Sequence, residues 1–241
     1  MCGPAAIGYR LRMNSALNAA STRDQTLTRR DIESLVGETP RHLVGCDLGG
    51  ASLVGLDLAG WTFEACILHH TDLSGAMLER TLWQSCRGSF ANFSGSDLTD
   101  ARFASSDFNN ALFRGASLTS ARIECSKLTG ANLSDIRGMD LHFEETLLIN
   151  AKLPNLSFRK MTLKRVDFSQ ADLRKCDFRM TTFDDCSLRE ASLIGSRFDG
   201  SDLRGADLGG LRLVDASLFR GATVSREQAG QLLAGLGLNV R

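Results

Sequence analysis

Cys46, Cys66 and Cys86 stand twenty residues apart, a row of thiols of the kind that binds soft metals or forms disulfides. His69 and His70 are adjacent, and imidazole is the commonest metal ligand and general base. Aspartates recur at Asp47, Asp57, Asp72, Asp97, Asp107, Asp167, Asp172, Asp177, Asp202 and Asp207, and paired carboxylates do acid–base work. None of these sets reads as a catalytic centre. A reacting group needs a unique environment, whereas these residues return at a constant interval. No Ser/His/Asp or Cys/His set converges, and no phosphate-cradling loop appears. The expectation is therefore no enzyme, no cofactor and no metal site. The thiols read as small inward residues packing as alanine would, the histidines as surface, and the aspartates as structural.

The interval itself is the stronger signal. Every fifth residue from Leu43 to Leu218 is Leu, Ile or Phe, except Trp83, Gly88 and Gly138. Two residues before a centre usually stands a small residue, such as Ala51, Ala76 or Cys66; one before often stands Asp or Asn; polar residues or Gly follow. An α-helix would spread such a column around its surface, and a plain strand would alternate it between faces. A coil that turns a corner every five residues places every centre inside. Four corners close a square, and the column then makes about nine coils of four pentapeptides. Stacked at the parallel-strand spacing of roughly 4.8 Å, they form an all-β solenoid roughly 43 Å long. Gly at the corners supplies φ > 0. The holes at Gly88 and Gly138 are expected to be filled by Trp83 and by Met139 and Leu141, and Ile136–Leu148 reads as a distorted coil.

Such a stack leaves two open ends. Residues 1–25, rich in Ala, Ser and Asn, read as a flexible tail, with Met13 a second plausible start. Residues 26–42 hold a short capping helix: Thr28 and Asp31 form its N-terminal box, Ile32, Leu35 and Val36 its apolar stripe, and Gly37 its end. The repeat spans 43–223. In 224–241, Ser225 and Gln228 open a second helix, whose stripe of Ala229, Leu232, Leu233 and Leu236 runs on to Leu238 and Val240. Too short to stand alone, it must lie on the last coil, on a second copy, or on both. Lys+Arg equals Asp+Glu at 28 each, which argues against a non-specific nucleic-acid binder. No apolar run reaches the ~18–20 residues of a membrane span, and no secretory h-region is visible. Seven Cys, most at inward repeat positions, suit a reducing cytoplasm.

The A(D/N)LxG unit resembles the pentapeptide-repeat family. That resemblance implies a right-handed quadrilateral parallel β-helix. The ending Gln228, Ala229, Leu232, Leu233, Leu236, Gly237, Leu238 and Val240, together with Leu82–Gly88, is similar to Qnr-type quinolone-resistance members. Glu79–Trp83 and Asp172–Cys176 are similar to stretches of the related Mfp type. The resemblance implies a homodimer joined through the C-terminal helices through Ala229, Leu232, Leu233, Leu236, Leu238 and Val240. It implies that this dimer imitates duplex DNA, binds DNA gyrase or topoisomerase IV, and relieves topoisomerase poisons.

Folding the sequence on twenty tests the charge that mimicry needs. Two neighbouring faces of the N-terminal half carry Asp57, Glu64, Glu79, Asp97, Asp100, Glu124, Asp140, Glu144 and Glu145 against Arg80, Arg102, Arg122 and Arg137. This is the candidate topoisomerase-binding side. Between 146 and 190 bases outnumber acids. An interaction rod with a different partner, for example a secreted effector using residues 1–25 as export signal, is the alternative reading.

Overall fold

A single pentapeptide shows how the chain turns. Leu48 points inward, fully buried, and Gly50, two residues on, takes φ +69°. The N–H of Ala51 then donates to the Leu48 carbonyl at 3.0 Å and closes the corner. The aspartate before the centre holds the same corner. Asp47 accepts the N–H of Gly49 at 2.8 Å, Asp72 that of Ser74 at 3.0 Å and Asp167 that of Ser169 at 2.8 Å. These are Asx turns, which explains why the column is Asp or Asn. The left-handed corner residue is often not Gly: His70, Asn110, Lys160 and Gln170 all occupy it.

The computed structural model describes residues 21–37, 39–210, 216–235 and 237–239. From β2 to Asp207 its register is twenty residues, so Asp72 bridges Asn92, which bridges Leu112, which bridges Asn132, all parallel; in the last coil Asp202 bridges Thr223 in a register of 21. One face is regular enough to form a sheet. Its strands are β1 (Ser21–Arg23), β2 (His42–Val44), β3 (Thr62–Glu64), β4 (Leu82–Gln84), β5 (Arg102–Ala104), β6 (Arg122–Glu124), β7 (His142–Glu144), β8 (Thr162–Lys164) and β9 (Thr182–Asp184). They pair in sequence order, a solenoid of about nine turns. A short pair, β10 (Cys186–Ser187) and β11 (Ala206–Asp207), continues the stacking on the next face.

Inside, the centres stack at the coil spacing. Phe63 lies on Trp83 at 4.1 Å, Phe93 on Phe113 at 4.9 Å, Phe158 on Phe178 at 5.0 Å, and Phe178 on Phe198 at 4.9 Å. Each buried ring contributes area and a geometric stacking term of about 0.5–1.5 kcal/mol. The Trp83 indole N–H is satisfied by Thr81 Oγ1 at 2.9 Å.

The thiols do more than alanine would. On the corner after the sheet face, the inward column reads Cys66, Cys86, Ser106, Ser126, Thr146, Val166 and Cys186. Cys86 Sγ donates to the Phe63 carbonyl at 3.2 Å, Ser106 Oγ to Trp83 at 3.0 Å and Thr146 Oγ1 to Ile123 at 2.9 Å. In turn the Cys86 N–H donates to Ser106 Oγ at 2.9 Å. The column is therefore a ladder of small donors that satisfies buried carbonyls. Cys46, Cys66, Cys86, Cys176 and Cys186 are free and buried.

The two holes close only partly as expected, Leu141 covering Gly138 as the sequence suggests. A Cβ on Gly88 would stand 2.3 Å from Phe108 Cε1, so the Phe108 ring occupies that slot, with Trp83 edge-on against it at 6.1 Å. Gly138 is covered by Leu141 and Ile136. Met139 is 72% exposed and fills nothing. Here the stack opens. The bridges Asp57–Met77–Asp97–Ser117–Arg137 stop, and the column restarts at Ser157–Asp177–Arg197. Strand β7 meets β8 only at Glu144↔Lys164. The cause is volume. Ile136 and Leu141 are large where Ala116 and Ala121 stand below them, and Leu156 and Met161 are large again in the coil above. Two oversized layers meet at a place where the central side chain is missing.

The N-terminal boundary also moves. Ser21–Arg23, which the sequence places in the tail, pairs with β2 in a register of 21. Residues 1–20 lie outside the described residues. Helix α1 (Arg29–Leu35) has the expected Thr28–Asp31 box, and Ile32 is fully buried. It sits within the first coil, not above it. Arg29 Nη1 donates to the Ser52 carbonyl at 3.0 Å and the Val54 carbonyl at 3.2 Å.

At the other end the chain adds the turn Ala216–Phe219, where Phe219 stacks on Phe198 at 4.8 Å, and then helix α2 (Arg226–Gly235). Ser225 N–H donates to Gln228 Oε1 at 2.7 Å, and Gln228 N–H to Ser225 Oγ at 3.1 Å, completing the box. Gly237, at φ +81°, ends the helix.

Candidate partner-binding surfaces

Because the register is twenty over the coils that carry them, the nine acidic residues fall on two adjoining faces. Asp57 and Asp97 share one bridged column with Met77 between them. Glu79 stands beside the corner, and Asp100 and Asp140 take the corner itself at φ +59° and +54°. Glu64, Glu124 and Glu144 point out from the sheet in one column, with Glu124 and Glu144 directly in register. Glu145 follows at the next corner.

Their electrostatic state is uneven. Glu64 Oε2 lies 3.0 Å from His42 Nε2. Arg165 reaches Glu144 at 3.7 Å and bonds Glu145 directly, so these two acids are partly neutralised from the coil above. One carboxylate oxygen of Glu79 is buried without a partner. Asp57, Asp100 and Asp140 are exposed and enter no ion pair among the described residues. On the same sheet face Arg102, Arg122 and His142 stand in register two residues across from the glutamates. The acidic side therefore carries a basic stripe along one edge. That stripe follows from the register.

The other candidate chemistry disperses. Among the described residues no group of three or more His, Cys, Asp or Glu is placed to hold a metal ion. Burial pushes the thiols of Cys176 and Cys186 up to about 12 and about 11, and holds Cys86 well above the ordinary value. His69 and His70 are both exposed. His70 is stacked on Phe90, its neighbour twenty residues on along the same corner.

Of the expected dimer residues, Ala229 is half-buried and Leu232 packs on the core, whereas Leu233 and Leu238 are 38% and 54% exposed. Leu236 and Val240 lie outside the described residues. Gln228, which sequence reasoning gave only a capping role, is buried and donates Nε2 to the carbonyls of Leu203 and Ala206, each at 2.7 Å. Among the described residues no helix is long and apolar enough to cross a membrane.

Comparison with known proteins places this architecture. Two family models match, one for pentapeptide repeats (8 copies) over 42–81, 66–103 and 96–135, and one for the pentapeptide repeat region over 139–218. A search of curated protein sequences finds no match. Among solved structures, a trypsin-treated variant of QnrB1, a plasmid-mediated fluoroquinolone resistance protein, is similar at TM-score 0.67 and 23% identity, over 91% of this chain and 100% of that one. Full-length QnrB1 is similar at TM-score 0.65 and 22% identity, with the same coverage. These likenesses establish a shared fold. With matches over most of the coils described above, the chain belongs to the pentapeptide-repeat family.

Proposed function

We propose that this protein is a non-enzymatic, DNA-mimicking homodimer that binds DNA gyrase or topoisomerase IV in the cytoplasm and protects it from topoisomerase poisons. The observation that carries the reading is the acidic side. Asp57, Glu79, Asp97, Asp100 and Asp140 lie along one side of a rod, with Asp57 and Asp97, and Asp100 and Asp140, each two coils apart. A protein surface that holds duplex DNA is basic and reads regularly spaced negative charge. The shared fold with QnrB1, a fluoroquinolone resistance protein, supports the same choice of target. The homodimer is proposed from the exposed Leu233 and Leu238 on and after α2, whose other side is used by the last coil.

The test is gyrase supercoiling in the presence of a fluoroquinolone, with and without the protein. Restored supercoiling is expected, weakened by Asp97→Lys with Asp100→Lys. No change at micromolar protein overturns the reading. For the dimer, Leu233→Asp with Leu238→Asp is expected to give monomers by light scattering while the melting temperature holds. A wild type already monomeric leaves α2 as a cap alone.

A further inference from the structure

We propose that the face carrying Asp57 and Asp97 docks against the same face of a second copy, with the two rods antiparallel. The inference goes beyond the topoisomerase reading and does not need it. Two columns define this face. The one before the centres runs Asp57, Met77, Asp97, Ser117 and Arg137 in bridged order, and resumes with Ser157, Asp177 and Arg197. The corner column runs Arg80, Asp100, Ser120, Asp140, Lys160 and Met180, all at positive φ. Charge reverses along it. Asp57 and Asp100 lie in the coils toward the N-terminus. Arg159 and Lys160 lie beyond the opening at Gly138, exposed and in no ion pair among the described residues. Arg137 and Asp140, in the coil between, cancel. The same face holds Met77, Met139 and Met180, which are 43%, 72% and 55% exposed. Flexible apolar side chains of this kind suit a surface that packs on another chain.

Charge decides how two such faces can meet. A face-to-face pair has its two-fold axis in the shared plane. An axis along the rod sets every acid at the height of the same acid. An axis across the rod makes the copies antiparallel and keeps each column opposite itself. Placed between the coils of Ser120 and Asp140, it sets Asp57 opposite Arg197 and Asp100 opposite Lys160, each pair twice. Arg197, 3.4 Å from Asp199 in its own coil, is then shared between two acids. Arg137 meets Ser117, Asp140 meets Ser120 and Arg80 meets Met180, so neither column opposes like charges. Moving the axis half a coil toward the N-terminus sets Arg80 against Lys160. Moving it half a coil the other way sets Arg137 and Asp140 against themselves. Directly opposed like charges are destabilising, which leaves the first register. The face spans eight coils, one per twenty residues from Asp57 to Arg197. At roughly 4.8 Å per coil and roughly 10 Å across, it covers under about 400 Å² per copy, half of a standard interface. The pairing is therefore weak, aligned by charge and loosened by salt. The junction proposed at α2 is apolar, and salt spares it. A copy seated here covers Asp57 and Asp100, so it competes with any other partner of the acidic side.

Sedimentation velocity of the full-length protein, at about 5 to 200 µM and in about 30 or 500 mM NaCl, reads the association. Mass is expected to rise with concentration in low salt, and that rise to vanish in high salt. Asp100→Lys and Lys160→Asp each oppose like charges and are expected to weaken the low-salt association about tenfold or more. The double variant is expected to restore it, and so is an equal mixture of the two single variants. A carbodiimide crosslink from Asp100 to Lys160, found by mass spectrometry in the crosslinked dimer, is the second readout, since the two lie three coils apart within one chain. No salt-dependent association overturns the inference. So does association that neither single variant weakens, or a double variant no better than the singles. Should these variants misfold, Asp57→Lys and Arg197→Asp, singly and together, make the same comparison. The topoisomerase reading stands or falls separately: protection without self-association overturns only this inference, and self-association without protection overturns only that one.

Discussion

Gln228 and Leu203 are joined across the C-terminal end of the rod: Nε2 of the first donates to the carbonyl of the second at 2.7 Å. The same amide nitrogen reaches Ala206, while its oxygen caps α2 through Ser225 N–H. One side chain therefore starts the helix and satisfies carbonyls that have no further coil above them. Gln228→Ala is expected to cost about 1–3 kcal/mol, the usual result of stranding buried polar groups. Gln228→Glu, which keeps the acceptor and loses the donor, is expected to recover little of it. Chemical denaturation of the three proteins is the check.

Gly88 tests how the inner space is shared. Its missing side chain is the volume that Phe108 fills. Gly88→Leu restores the repeat pattern but drives a side chain into that ring. It is expected to destabilise by about 1–3 kcal/mol despite matching the consensus. Combining it with Phe108→Leu is expected to recover most of the loss. Additive costs in the double variant would show that the two sites do not share space.

Cys86 is expected to behave as a hydrogen-bonding residue. Its Sγ donates to Phe63 at 3.2 Å, in a column where other coils use Ser or Thr. Cys86→Ser is expected to fold close to wild type. Cys86→Ala is expected to lose about 0.5–1.5 kcal/mol, the net value of a hydrogen bond. With burial holding Cys86, Cys176 and Cys186 high, these thiols should react with a disulfide reagent only as fast as the chain opens. Immediate labelling of the native protein would contradict this.

Acid should expose a set of intracoil ion pairs. Arg174, Arg179 and Arg204 each grip the aspartate two residues before, and their hydrogen bonds hold Asp172, Asp177 and Asp202 below the usual carboxylate value. A carboxyl whose pKa is lower folded than unfolded contributes stability above its unfolded value near 3.9, and loses it as pH falls through the folded one. The melting temperature is expected to hold down to about pH 5 and to decline below about pH 4. Replacing the three arginines with Gln should flatten that decline.

Much of this was legible in spacing alone. A period of five places Leu48 and Phe63 inside, and a fold of twenty places Asp57, Asp97 and Asp100 on one side, because stacking preserves register. What spacing does not report is which carbonyl lacks a partner, so the donor role of Cys86 and the second task of Gln228 stayed hidden. The helix of the first coil breaks the pattern because the coil there is 21 residues, with Ile32 serving where a centre would.

The opening between Ile136–Leu141 and Leu156–Met161 bears on how the rod comes apart. A linear stack is as cooperative as its weakest neighbour interface, since each coil touches only the ones beside it. With rungs lost along one face and most of the next, the coils after this point can melt while those before it stay closed. The acidic half of the molecule would then outlast the half that carries α2. Such a rod has two lifetimes, one on each side of its seam, and the far end can be lost while the near end keeps its shape.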